Sequence, residues 1–149
     1  MKVATETQSH QDLWSKPMDI VIPKGMIGFD EVTEYEVLVN MEELPFMWIR
    51  GKDHHDLAFV VVEPSAVLND YQVEISDDDI KFLEIESEDD VMILNVVTIK
   101  DGESIESATI NLIGPVIVNR KTFRGKQVVV SNYLKFSAHH PILSESVEG

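Results

Sequence analysis

The chain contains no cysteine. Disulfides, thiolate zinc sites and cysteine nucleophiles are excluded together. No apolar run approaches the ~20 residues that a membrane helix needs. The opening residues, Met1-Lys2-Val3-Ala4-Thr5-Glu6-Thr7, lack the apolar core of a secretion signal. These absences point to the cytoplasm. Also missing are a G-x-S-x-G elbow, a Walker loop and a G-x-G-x-x-G turn. Gly25-Met26-Ile27-Gly28 has one neighbouring lysine, too little for a phosphate cradle. There is no internal repeat, no low-complexity tract and no Pro/Gly/Ser linker.

Positive charge is scarce. Twelve Lys and Arg stand against 27 Asp and Glu, a formal net charge of -15. Phosphate backbones are held by Lys and Arg, so direct nucleic-acid binding is disfavoured. The imbalance is uneven. Residues 63–106 hold 14 acids and two bases, whereas residues 107–140 hold five bases and no acid. Two readings follow: a solvated acidic surface, or a face for a basic protein partner.

What is present is ordinary globular material. With 149 residues, 44% of them hydrophobic and 26% charged, the chain fits one domain with one core. We expect that domain over residues 1–140 and a flexible tail over 141–149. Hydrophobic periodicity is mostly two, the period of half-buried strands. Strands are predicted over residues 2–7, 19–22, 34–40, 46–50, 57–62, 71–75, 91–100, 105–112, 116–119, 127–130 and, weakly, 133–136. The nearly continuous apolar run 57–62 predicts burial on both faces, and Asp101-Gly102 predicts a hairpin turn. A single short helix is predicted near residues 77–83, with Ser76 as N-cap and three aspartates in its first turn. Frequent turn signals among short strands predict an all-β, barrel-like fold, since closure removes exposed strand edges.

Catalytic or metal chemistry has little to stand on. His54-His55 and His139-His140 are adjacent pairs, and neighbours on a strand point to opposite faces, so neither pair forms a chelate by itself. Asp77-Asp78-Asp79 lacks the alternating spacing of a calcium loop. No two carboxylates among the 27 are singled out for acid–base work, which lowers the expectation of an enzyme and leaves a carboxylate-based hydrolase as a minor reading; no cofactor is expected. Glu88, Asp89 and Asp90 form an acidic turn that suits a basic partner. Asn111 and Asn119 flank the break at Gly114-Pro115. Pro115 cannot donate to a ladder, so pairing is interrupted there. The segment is either a braced corner or a partner contact.

Several segments resemble the FliW family of flagellar assembly factors. Ile22-Pro23-Lys24-Gly25-Met26-Ile27-Gly28-Phe29-Asp30 is similar to that family's F-P-x-G-L-x-G-F-E pattern. Phe46-Met47-Trp48-Ile49 resembles P-F-x-W-L. The stretch Leu57-Ala58-Phe59-Val60-Val61-Val62-Glu63-Pro64 resembles L-A-F-V-V-x-D-P, followed by Asp70-Tyr71. Asn111-Leu112-Ile113-Gly114-Pro115-Val116-Ile117-Val118-Asn119 resembles N-L-x-A-P-I-V-I-N, and Gly125-Lys126-Gln127-Val128-Val129-Val130 resembles G-x-Q-V-I-L. The matches keep family order. Gly114 replaces Ala, which predicts a looser loop before Pro115.

The resemblance implies a small β-barrel-like fold without catalysis. It also implies two alternative protein partners, flagellin and the translational regulator CsrA, a small RNA-binding dimer. Candidate partner contacts are Glu63, Pro64, Asp70, Tyr71, Glu88, Asp89, Asp90, Asn111, Pro115 and Asn119. A barrel holding a small ligand is the alternative.

Overall fold

The computed structural model describes residues 16–99 and 107–142. The predicted strand over 2–7 and the Asp101-Gly102 turn lie outside these. Four antiparallel strands come first: β1 (Met18–Val21), β2 (Glu34–Leu38), β3 (Phe46–Gly51) and β4 (Ala58–Val62). The period-two pattern sends Ile20, Tyr35, Val37, Ile49 and Val61 to one face, where they form the main core. β4 is buried only at Val61 and Val62, because Ala58 is exposed and Phe59 and Val60 are half-buried. The expected burial on both faces holds for its second half alone.

β5 (Val91–Thr98) follows the one α-helix among the described residues, α1 (Asp77–Leu83). Ser76 Oγ accepts the Asp79 N–H at 3.2 Å, and three aspartates occupy the positive end of the helix dipole. Leu83 is fully buried against Ile117, Val128 and Val130, a burial worth about 1.5–3 kcal/mol.

β5 is where the sheet branches. On one edge it pairs with β4. On the other it pairs with β6 (Thr109–Ile110) through Val97 and Thr98, and with β7 (Val116–Asn119) through residues 91–94. β7 continues to β8 (Gly125–Gln127), and β6 to β9 (His140–Pro141). From Val97 to Leu94, β5 advances three residues. From Ile110 to Val116 the opposing chain advances six. The extra residues are the loop before Val116, and the predicted break at Gly114-Pro115 is present.

The sheet does not close into a barrel, which corrects the barrel-like part of the expectation while leaving the all-β class intact. One parallel bridge, Val21 to Arg124, brings β1 back toward the β7–β8 turn. Residues 71–75 alternate as predicted, with Gln72 and Glu74 outward, yet they form no strand. Their backbone is held by the Asn132 side chain, which accepts from Glu74 N–H and donates to Gln72 C=O.

Of the predicted return strand 105–112, only Thr109–Ile110 is strand among the described residues. Beyond β8, Val128 and Val130 donate to the carbonyls of Pro115 and Ile113 without forming a ladder, because Pro115 has no N–H to return. Residues 133–135 form a 3-10 turn rather than a strand, with Leu134 exposed. Pro141 pairs with Thr109 and Ile142 is buried, so packed structure runs two residues beyond position 140. Among the described residues, no helix is long and apolar enough to cross a membrane.

Candidate functional site: an open acidic face around Tyr71

After β4 the chain turns at Pro64, whose fixed φ suits the first position of a 3-10 turn, Pro64–Ala66. It then runs beside β5 as residues 67–75. Three grooves meet along this segment, and Tyr71 lines all of them. One of 530 Å³ lies against Leu112 and Phe136. One of 460 Å³ lies against Glu88, Val91 and Ile93. One of 260 Å³ lies against Glu63, Pro64 and Arg120.

Tyr71 is fixed at both ends. Its ring meets Phe136 edge-on with centroids 5.0 Å apart. Its hydroxyl donates to Leu112 C=O at 2.6 Å and accepts from Asn95 Nδ2 at 3.2 Å. Burial raises the phenol above its ordinary pKa, and the Asn95 hydrogen bond opposes this less strongly. Asn95 is fully buried on β5 and also donates to Asn111 C=O at 2.8 Å. Sequence reasoning passed over Asn95. The available signal was one amide inside the apolar run Val91-Met92-Ile93-Leu94-Asn95-Val96-Val97, since a buried polar group implies a partner.

Asn111 braces the loop from within. Its Oδ1 accepts the N–H groups of Ile113 and Gly114 at 3.0 and 2.9 Å, an Asx-type turn. Gln127 Nε2 donates to Gly114 C=O at 2.9 Å. Gly114 is therefore pinned on both sides and does not loosen the loop. A Cβ at this position would meet Asn111 Nδ2 at 3.3 Å, a tight contact that a small shift relieves.

Asn119 does related work one strand later. It is buried, and Nδ2 donates to the carbonyls of Leu83 and Glu84 at 2.8 and 3.1 Å. These belong to the end of α1, where Glu84 takes a left-handed φ of 58°. Asn119 Oδ1 accepts from Lys121 and Thr122 N–H. One side chain thus joins the helix end to the β7–β8 turn.

The ten predicted contact residues divide by burial. Asp70, Glu88 and Asp89 are exposed, and Glu63, Tyr71 and Asn111 are half-exposed. Pro64, Asp90, Pro115 and Asn119 are buried. Pro64 and Pro115 shape turns, Asn119 spends its amide inside the chain, and Asp90 lies 3.7 Å from Lys121. Glu63, Pro64, Asp70, Tyr71 and Glu88 line the grooves, with Asp89 next in sequence to Glu88. Asn111 stands behind Tyr71 through Asn95. His54 and His55 lie apart at the β3–β4 turn, with His55 Nε2 3.7 Å from Glu36.

The face thus combines an aromatic residue, open grooves of mixed polar and apolar lining, and carboxylates without an ion pair among the described residues, an arrangement that can hold a protein surface. Comparison with known proteins gives its context. The sequence model of the FliW protein family matches residues 2–142. The flagellar assembly factor FliW of Caldanaerobacter subterraneus is 36% identical over 85% of this chain and 83% of its own length. That of Natranaerobius thermophilus is 33% identical over 85% and 82%. That of Clostridium novyi is 30% identical over 95% and 98%. A crystal structure of the flagellar assembly factor FliW superposes with a TM-score of 0.73 at 25% identity, covering 83% of this chain and 84% of that one. With the match running through nearly the whole chain and the fold agreeing, this protein belongs to the FliW family of flagellar assembly factors.

Proposed function

We propose that this chain holds the translational regulator CsrA, relieves its repression of flagellin synthesis, and binds flagellin as the alternative partner. The role is one of protein binding, carried out where translation occurs, in the cytoplasm. The observation that carries the reading is the acidic face: Asp70, Glu88 and Asp89 are exposed around the Tyr71 grooves and form no ion pair within the described residues. A protein that grips RNA is basic, and such a face attracts it. A ligand-carrying barrel has less support, because the sheet does not close around an interior.

The test mixes the purified protein with CsrA, sizes the product by light scattering, and then adds flagellin. A complex from which flagellin displaces CsrA is expected. Failure to form the CsrA complex would remove the reading. A stable ternary complex would remove the exclusive switch.

A further inference from the structure

We propose that the β7–β8 turn, with Phe123 as an apolar anchor and Lys24 and Arg124 as its charges, is a docking surface for an acidic segment of a partner protein. Arg120 at the start of this turn lines one of the Tyr71 grooves, whereas Phe123, Lys24 and Arg124 line none of them, and the proposal does not depend on CsrA being a partner.

Phe123 carries the first argument. Its φ is 63°, a left-handed conformation that suits glycine or asparagine and is strained for a bulky side chain. The other such residue among those described, Glu84, terminates α1, which accounts for its conformation. Phe123 nevertheless keeps 41% of its surface exposed and belongs to no core cluster. The turn does not need the ring. Phe123 N–H donates to Asn119 C=O at 2.8 Å, and its C=O accepts from Val21 N–H at 3.0 Å. Both bonds are backbone and would survive replacement of the side chain. An aromatic ring held in strain at the surface is the kind of anchor that interfaces use.

Charge carries the second argument. Three cations surround the Phe82 ring: Arg124 at 4.3 Å, Lys24 at 5.4 Å and Lys126 at 5.6 Å from its centroid. Arg124 Nε also donates to Phe82 C=O at 2.9 Å, which seats the guanidinium over the ring. Asp79 pairs with Lys126. Lys24 and Arg124 have no carboxylate within ion-pair distance among the described residues. In a chain of net charge -15 this is a local positive spot.

Exposed apolar residues adjoin it. Val21 bridges to Arg124, and Ile27 N–H donates to Gln127 Oε1 at 2.9 Å beside β8. Both are exposed, Ile27 at 61%. Cations beside an apolar shelf fit a segment bearing carboxylates and an apolar side chain. Phosphate backbones fit poorly, because two unpaired cations stand against a strongly acidic whole.

The experiment selects short random peptides displayed on phage against the full-length protein, then measures the enriched peptides on three variants. Phe123→Asn keeps the left-handed turn, Arg124→Glu inverts the charge, and Met41→Ser alters an exposed apolar residue beyond the opposite end of β2. Acidic peptides with an apolar residue should be enriched. Phe123→Asn and Arg124→Glu should each weaken them by about tenfold or more, and Met41→Ser should leave them unchanged. Phe123→Asn should melt at or above the wild-type temperature.

Enrichment without charge preference, or binding retained in both turn variants, would overturn the proposal. So would a Phe123→Asn protein that melts several degrees lower, since the ring would then serve the fold. Concentration-dependent self-association of the wild type that Phe123→Asn abolishes would assign the surface to a second copy instead.

Discussion

The acidic stretch after β4 and the basic stretch around β7 and β8 are opposite in sign along the chain, and the fold lays them against each other. Arg120 approaches Glu63 at 4.0 Å, Lys121 approaches Glu86 and Asp90 at 3.8 and 3.7 Å, and Lys126 pairs with Asp79. Such surface and half-buried pairs contribute about 0–1 kcal/mol each when exposed, so their larger effect is on the charge that remains visible. Among the described residues, Asp70, Glu88 and Asp89 of the acidic stretch and Arg124 of the basic stretch form no ion pair. The net charge of a segment therefore overstates what it offers a partner. Part of each stretch holds the other in place.

That contrast can be broken most severely at Asn119, where the basic stretch is tied to the end of α1. Asn119→Ala removes the donor to the buried Leu83 carbonyl, together with three part-buried bonds, to the Glu84 carbonyl and from the Lys121 and Thr122 N–H groups. A loss of about 2–3 kcal/mol is expected, or roughly 5–10 °C in melting temperature for a chain of this size. Thermal denaturation checks it, and an unchanged melting temperature would show that the brace is dispensable.

Next in size is alkaline sensitivity, which reports on two tyrosines, Tyr71 behind the acidic face and Tyr35 in the main core. Burial raises the pKa of both Tyr35 and Tyr71 above 10.0. The unfolded chain releases these protons first, so unfolding is favoured as pH rises. The stabilisation is complete below pH 10.0, the unfolded value, and is lost as pH climbs through the higher folded values. Chemical denaturation between neutral pH and the alkaline limit should show a falling midpoint above pH 10 in the wild type. Tyr71→Phe should reduce that slope.

A smaller effect is expected at Asn111. Asn111→Ala removes the acceptor that holds Ile113 and Gly114, leaving Gln127 and the Asn95 bond to the backbone carbonyl in place. About 1 kcal/mol should be lost, with faster amide exchange confined to residues 111–115. Uniform exchange across β7 would instead show that the loop and strand open as one unit.

The smallest change separates visible from internal charge. Glu88→Lys with Asp89→Lys should slow association with CsrA and flatten its dependence on salt, at an unchanged melting temperature. Asp90→Lys should lower the melting temperature, because Asp90 is buried beside Lys121. Identical behaviour of the two variants in both assays would erase the distinction.

Much of this architecture is legible from local chemistry. Period-two patterning locates the strands of the β1–β5 meander and β7 within a few residues. Ser76 followed by three aspartates places α1, because capping and the helix dipole act within one turn. Pro115 announces the break in the strand facing β5, because a missing N–H is a property of the residue itself.

Only the tertiary structure decides what depends on distant partners. Residues 71–75 alternate like a strand, yet the Asn132 side chain, 58 and 60 positions away, supplies two of their backbone hydrogen bonds and Ser131 N–H a third. Asn111 and Asn119 look alike in sequence, but one turns its oxygen into its own loop and the other reaches 36 residues back to α1. Barrel closure depends on whether the two edges of a sheet pair along a ladder, and here β1 and the β7–β8 turn meet at a single isolated bridge among the described residues, which does not close the sheet. Periodicity reports which face of a segment is apolar. It carries no information about which remote group will satisfy a given amide or carbonyl, and that choice separates the exposed acids and the Phe123 turn from the residues that hold them in place.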